Sequence, residues 1–256
     1  MPYTVAKPKA LMRLGDHSIL EILLRQMRAA GFERVTLCVS HLGHLIREEF
    51  AGGENLGLNI DYCVDERPLG TAGPLRLVPK WESPALVLNA DVLTTVDFAD
   101  LMAHHRGSGA ILTIAKQTRP VSVDYGVLYT EAGRVREMWE KPSVAVDMSL
   151  GIYVADPGVC RYLPHNTPVS MSELICELIR RGEQVGAFAA NGRWHDIGTP
   201  EALSLAHSDF VENIECYLPD TQRTAPMSGQ ALGTLLRLGV ATKDEGTQLP
   251  EESSVV

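Results

Sequence analysis

The sequence predicts an α/β protein whose sheet is doubly wound, mixed and mostly parallel. Three observations carry this. From residue 18 onward the chain reads helix, strand, helix, strand, the alternation that parallel strands with crossover helices require. Residues 85–91, ALVLNAD, form an apolar run without polar alternation that stops at Asn89 and Asp91, the pattern of a strand buried on both faces. From Tyr125 the pattern changes to shorter strands with few helices, which predicts a partly antiparallel half built onto the first sheet.

Each element has a local reason. Residues 1–15 hold two prolines and two lysines before any period appears and read as an irregular loop. Residues 18–31 form a helix: Ser18 and Glu21 make a capping box, Ile19, Ile22, Leu23 and Met27 share a face, and Gly31 ends it. Residues 34–40, RVTLCVS, are a β-branched strand, and residues 41–50 a helix stopped by Gly52 and Gly53. An alternating strand follows over residues 59–65. The stretch 65–75, DERPLGTAGPL, puts Gly70 and Gly73 at a strand-to-helix junction, where backbone can approach a flat ligand and amides of the helix start can face it; a plain turn has the same look.

Residues 97–105 read as a helix and 110–116 as a strand, followed by the short strands YGVLYT, VREMWEKP and SLGIYVAD. Residues 170–181 return to a helix, with Ser170 and Glu173 as a second capping box. In QVGAFAANGRWHDIGTPEAL a strand leads through a turn to a helix capped by Thr199 with Pro200 in its first turn, and Asp196 lies just before it. An amphipathic helix over 201–214 closes the folded part, giving a domain over residues 1–220. Residues 221–256 read as an extension with a short helix over 232–238 and a disordered end, KDEGTQLPEESSVV.

Composition narrows the function. The chain has 256 residues, 45% hydrophobic and 21% charged, enough for one large soluble domain with or without an appendage. A net charge of −9 argues against a nucleic-acid or anionic-membrane surface, so an anionic ligand must be held by a few local cations. Cys38, Cys63, Cys160, Cys176 and Cys216 form no CxxC pair and no metal spacing, which predicts reduced thiols, no zinc and a cytoplasmic setting. No apolar stretch approaches the roughly 18 residues of a membrane helix, and the N-terminus has no signal-peptide core.

Asp91 stands at the carboxyl end of its strand, the edge where open α/β sheets bind ligands. It is a candidate for a metal or phosphate site; a turn-capping aspartate would look the same.

Taken together the stretches PYTVAKPKALMRLGDHSILE, GENLGLNIDY, ERPLGTAGPL, LVLNADVLT, YGVLY, EKPS, SLGIYVADP and WHDIGTPEAL resemble, in order and spacing, the sugar-1-phosphate nucleotidyltransferases, above all the mannose-1-phosphate guanylyltransferases. The resemblance implies a Rossmann-like nucleotide-diphospho-sugar transferase fold. It also implies transfer of a nucleotidyl group from a nucleoside triphosphate to a sugar 1-phosphate, releasing pyrophosphate. It makes Lys9, Asp91 and Asp196 catalytic, with Asp91 and Asp196 as carboxylate ligands of Mg²⁺, an ion that prefers few carboxylates plus phosphate oxygens. It gives Gly70, Thr71 and Ala72 to the nucleotide base, and Gly126, Glu140 and Lys141 to the sugar phosphate. Glu66 bears on the base: a carboxylate can accept from both N1–H and the amino group of guanine, which favours GTP over UTP, while adenine stays open and so does a solvated glutamate beside Arg67. The partners implied are the two substrates, with either a homo-oligomer or pairing with an active homologue.

The chain departs from the family at its start. Met1 and Pro2 fall where a first strand and a glycine-rich loop of the form GGxGTRL should already have ended, so the expected sheet lacks its usual first strand. Ala10 and Arg13 stand where the family usually has prolines. Two explanations fit: a start placed too late in the gene of an ordinary enzyme, or a non-catalytic homologue that binds sugar nucleotide or regulates a partner. Both predict poor turnover by these residues alone.

Overall fold

The structure, a computed structural model, describes residues 7–40, 42–65, 67–79 and 81–218 together with the backbone of Leu232–Arg237. The irregular loop expected at the start is, from Lys7 on, more ordered than that. A 3₁₀ turn at Lys9–Leu11 is followed by a small antiparallel hairpin, β1 (Arg13–Leu14) and β2 (His17–Ser18). Ala10 and Leu11 are buried in the core, and that burial fixes the turn.

Helix α1 (Ile19–Ala29) follows. The Ser18 hydroxyl accepts from the Glu21 amide at 3.3 Å. The return half of the expected capping box is replaced, since Arg25 Nε donates to the Glu21 carboxylate at 2.8 Å and His17 Nδ1 lies 3.0 Å from it. Ile19, Leu20, Ile22, Leu23, Leu24 and Met27 are fully buried. At about 1.5–3 kcal/mol per side chain, this face rather than helix propensity holds α1 in place. Strand β3 (Phe32–Val39), helix α2 (Gly43–Phe50) and strand β4 (Asn59–Val64) come next. The helix expected near Gly73 is a single 3₁₀ segment, Gly73–Leu77, in which Pro74 removes one donor.

The sequence-predicted buried strand is β5 (Ala85–Asn89), which turns sharply into β6 (Val92–Thr94) and then α3 (Phe98–Ser108), capped by Asp97. Beyond it lie β7 (Leu112–Ser122), the hairpin β8 (Val127–Glu131) and β9 (Arg134–Trp139), and the long β10 (Ser143–Ala155). Helix α4 (Met171–Arg180) has the full capping box of Ser170 and Glu173. Then come β11 (Val185–Ala189), β12 (Trp194–Asp196), α5 (Pro200–Glu212) and the single turn α6 (Ile214–Tyr217).

The last described element corrects the expectation of a short helix over 232–238, as far as its described residues, 232–237, go. Leu232–Arg237 is a strand, β13. A short apolar run cannot be told from a buried helix segment by period alone, and its length falls in the strand range. Residues 219–231 and 238–256, including the tail expected to be disordered, lie outside the described residues, as do residues 1–6.

The main sheet has seven strands in the order β11-β7-β10-β5-β13-β3-β4. All neighbours are parallel except at β10, which runs against both β5 and β7. Successive side chains of β5 go to opposite faces: Leu86 and Leu88 join the cluster formed by α1, α2, α3 and α5, whereas Val87 joins the one beneath α4. Both faces are therefore covered, the doubly wound arrangement predicted from the sequence. Between β3 and β5, where a missing strand would leave two rows of unpaired backbone groups, stands β13.

Candidate active site

Register places the candidate groups along one edge of this sheet. Strands β3, β4, β5 and β13 run in the same direction, so the turn after β4 and Asp91 after β5 leave at the same carboxyl edge. Strand β10 runs the other way and pairs Ile152 with Leu88, so its residues before Gly151 extend past that edge. The second half of β7 follows them, Lys116 to Ser122 pairing with Ser149 to Ser143. The hairpin β8–β9 thus rides on an arm that reaches beyond the edge. Strand β11 is parallel to β7, so the chain running from it into β12 emerges there too. Helix α1 leads into the amino end of β3, which puts its N-terminus, and the Lys9 turn packed on it, toward the same edge.

Asp91 and Asp196 come together by strand pairing. Strand β12 lies antiparallel to β6 with Asp196 opposite Val92, and the Ile197 amide donates to the Asp91 carbonyl at 3.0 Å. The two aspartates occupy adjoining rungs of one two-stranded ladder, Asp91 partly buried and Asp196 exposed. Ligands of this kind, two carboxylates and no nitrogen or sulfur, suit a hard cation such as Mg²⁺. Among the described residues no group of three His, Cys, Asp or Glu could hold a metal by itself. Gly151, at φ +68 and beside a register shift in β10, faces the end of β5; a Cβ there would stand 3.4 Å from Asn89 Nδ2.

Strand β12 is held on all sides. The Arg193 carbonyl accepts from the Thr95 amide and Thr94 hydroxyl, both at 3.0 Å, and the Arg193 amide donates to Thr95 Oγ1 at 2.9 Å. Trp194 Nε1 donates to Leu150 at 2.8 Å, with the Arg119 guanidinium 5.0 Å from its ring centre. Behind the strand, Asp209 of α5 accepts from the buried Tyr217 hydroxyl at 2.6 Å and from Asn213 Nδ2 at 3.0 Å, lies 2.7 Å from His195 Nε2, and pairs with Arg193. Burial by itself would raise the Asp209 pKa, but these bonds and the Arg193 and His195 charges outweigh it and hold the carboxyl below its usual range. Tyr217 is pushed up in turn, by burial and by the anion it faces.

The turn over Gly70, Thr71 and Ala72 is stitched to the start of α4. Gly70 has φ +75, and a Cβ on it would lie 2.4 Å from the Val169 carbonyl oxygen, so only glycine fits. The Leu69 carbonyl accepts from the Val169 amide at 2.9 Å, and the Val169 carbonyl accepts from the amides of Ala72 (2.8 Å) and Gly73 (3.3 Å). Thr71 Oγ1 accepts from the Met171 amide at 2.5 Å. The amides of Ala72 and Gly73, which the sequence placed toward a ligand, are thus spent on Val169, and the turn offers shape more than donors. Glu66 lies outside the described residues.

Gly126, Glu140 and Lys141 meet on the arm. A Cβ on Gly126 would be 3.4 Å from Glu140 Oε2, and Lys141 takes the left-handed conformation at φ +44 that turns the chain from β9 into β10. Lys9 opens the Lys9–Leu11 turn and is partly buried. The structure therefore gathers the expected residues into three clusters on separate supports, together with the Lys9 turn, all on one edge. Sequence reading missed Gly151, whose signal was a glycine inside a strand pattern, and the Asp209 network, which has no short-range signal.

The chain belongs to the nucleotidyl transferase family, whose profile matches residues 1–213. Among characterised proteins it is 31% identical to the mannose-1-phosphate guanylyltransferase catalytic subunit beta of Danio rerio, over 88% of this chain and 65% of that one. It is 29% identical to the mannose-1-phosphate guanyltransferase of Schizosaccharomyces pombe, over 92% and 67%. The chain spans about two thirds of the length of these relatives. A putative glucose-1-phosphate thymidylyltransferase from Bacillus anthracis shares the fold with a TM-score of 0.62 at 19% identity, over 80% of this chain and 88% of that one. Among the described residues no helix is long and apolar enough to cross a membrane.

Proposed function

We propose that the protein transfers a nucleotidyl group from a nucleoside triphosphate, GTP in preference, to a sugar 1-phosphate, mannose 1-phosphate in preference, giving an NDP-sugar and pyrophosphate. The observation that carries the reading is the convergence of Lys9, the Gly70–Ala72 turn, Asp91, Asp196, Glu140 and Lys141 on one sheet edge. The names of the guanylyltransferase relatives support it.

A phosphate oxygen of the sugar 1-phosphate attacks the α-phosphorus; a new P–O bond forms as the bond to the pyrophosphate oxygen breaks and pyrophosphate leaves with the electron pair. Two anions must be aligned, and in a chain of net charge −9 their charge has to be met locally. Lys9 does this on the triphosphate and Lys141 on the sugar phosphate, while Glu140 and Gly126 bind the sugar and Gly70, Thr71 and Ala72 shape the base pocket. Asp91 and Asp196 would hold Mg²⁺, which when bound supplies positive charge to the phosphate oxygens. Glu66 accepts from guanine. A cytoplasmic location and association with a second chain complete the reading, the latter supported by the relative's name as a catalytic subunit beta.

The test is pyrophosphate release from GTP and mannose 1-phosphate, with UTP and glucose 1-phosphate in parallel because a UTP–glucose-1-phosphate uridylyltransferase of Synechocystis is 29% identical over 77% of the chain. Turnover with GTP that Asp196→Asn lowers by about 100-fold or more supports the assignment. Equal use of GTP and UTP, unchanged in Glu66→Gln, refutes the base assignment. No nucleotide binding at all refutes the function.

A further inference from the structure

The arm that carries Glu140 and Lys141 is narrow where it leaves the sheet. Strand β11 flanks β7 as far as Lys116, and β5 flanks β10 from Ile152 onward. Past those points, residues 117–122 and 143–148 pair only with each other among the described strands. A two-stranded ribbon is marginally stable in water, so side chains have to set the direction in which it points.

The two faces of the ribbon differ. On one, Asp147 pairs with Lys116 and accepts from the Thr118 hydroxyl at 2.7 Å, which ties the two strands to each other. On the other, Gln117 and Arg119 reach out to the segment that enters β12. Gln117 Nε2 donates to the Gly192 carbonyl at 2.8 Å. Arg119 Nη2 donates to the Trp194 carbonyl at 3.2 Å, and the guanidinium lies over the Trp194 ring, 5.0 Å from its centre. Arg119 Nε and Nη2 also donate to Gln117 Oε1, at 3.3 and 2.9 Å. Trp194 passes the connection on, since its Nε1 donates to the Leu150 carbonyl at 2.8 Å, beside the register shift of β10.

This clasp joins the groups that nucleotidyl transfer has to align. Asp196 is two residues beyond Trp194 on β12, in the ladder it shares with Asp91. Four residues beyond Arg119, the Val123 amide donates to the Pro142 carbonyl at 3.0 Å, next to Lys141. Resting on the transfer reading above, we propose that Arg119 is a positioning residue. Clamped on Trp194, it sets the separation of Glu140 and Lys141 from the aspartate ladder and so brings the sugar phosphate in line with the α-phosphorus. Such alignment is sensitive, because a misplacement of about 1 Å can cost about 100-fold in rate. The shape of the guanidinium matters more than its charge. A lysine supplies charge to an anion but not the flat surface and spaced donors that fit Trp194 and Gln117.

The experiment compares two ligands by calorimetry on the full chain with Mg²⁺: GTP, which occupies the base turn and the ladder, and GDP-mannose, the product of the proposed reaction, which also reaches the arm. In Arg119→Ala the Kd for GDP-mannose should rise by about tenfold or more, while that for GTP changes by less than about twofold. Arg119→Lys should behave as Arg119→Ala does. Gln117→Ala, which leaves every charge in place, should raise the Kd for GDP-mannose by about threefold. Amide exchange over residues 117–122 and 143–148 should quicken by about fivefold or more in Arg119→Ala, while residues 112–115 of the same strand keep the parent rate. GDP-mannose binding at the parent level in Arg119→Ala overturns the inference and leaves the transfer reading standing. The same result in Arg119→Lys alone also overturns it, because charge would then suffice. Arm exchange at the parent rate refutes the clasp, and equal weakening of both ligands in Arg119→Ala and Gln117→Ala refutes positioning. A parent chain that binds neither ligand overturns this inference and the transfer reading together.

Discussion

Replacing Asp209 by alanine tests whether the strand bearing Asp196 is held from behind. The carboxylate, with a side chain only 14% exposed, receives Tyr217, Asn213, His195 and Arg193. The Arg193 pair is half open to solvent and contributes about 0–1 kcal/mol. The bond from Tyr217, whose residue is fully buried, contributes about 1.5–3 kcal/mol, and its loss strands a hydroxyl in the core. The sum is a destabilisation of about 1.5–4 kcal/mol. For a chain of this size that lowers the melting temperature by roughly 3–16 °C, readable by calorimetry. Tyr217→Phe should cost less, and in the double variant the two costs should fall short of additive by about 1 kcal/mol or more.

The pH dependence follows from the sign of the shift. Asp209 is held below its unfolded value, so its contribution is complete above about pH 4, is lost as pH falls through the folded pKa, and should vanish from the acid limb in Asp209→Ala. If the variant melts within about 1 °C of the parent, below even the lower bound of this sum, the network is ornamental and the argument fails. Because β12 carries Asp196, the variant should also lose turnover beyond what its unfolded fraction explains.

Gly70→Ala should lower stability by about 2 kcal/mol or more, since the added carbon meets the Val169 carbonyl at 2.4 Å and the backbone holds φ +75; a melting temperature matching the parent would refute the fit. Ser170→Ala removes the cap of α4 at a cost of about 1 kcal/mol in urea unfolding. His105 is buried against Thr113, and burial lowers its pKa although Asp156 pulls the other way, with His104 and Arg106 adding to the drop. It binds its proton more weakly folded than unfolded, so stability should fall as pH drops below about 6.5, and His105→Asn should flatten that slope between about pH 7 and 5; a slope that persists would place the titrating group elsewhere.

Helices announced themselves in the sequence because their determinants are local. Ser18, Ser170 and Thr199 each accept from an amide three residues on, and each could be read as a cap beforehand; Asp97 caps α3 in the same way, although its sequence context placed it inside the helix. Asp91 was legible because a buried strand that ends in a carboxylate is itself a local pattern. Strand β13 was not: six residues of LGTLLR acquire a strand's identity from neighbours about 200 and 150 residues away along the chain. Nor was the bond from Tyr217 through Asp209 to His195, which depends on how α5 and α6 return across β12. The turn at Gly70 was found for its glycine, but its amides went to Val169, a partner nearly a hundred residues distant that no motif discloses.

Strand β10 belongs to two bodies at once. Its later residues are a central member of the sheet, its earlier ones a side of the arm, and the register shift at Gly151 is the point between them. From Ser143 to Ser149 the arm is about 20 Å long at roughly 3.3 Å per residue. A lever of that length turns a rotation of about 10° at its fulcrum into a displacement of about 3.5 Å at its tip. The reach of Glu140 and Lys141 over the crevice is thus geared to the backbone angle of one glycine that touches neither of them.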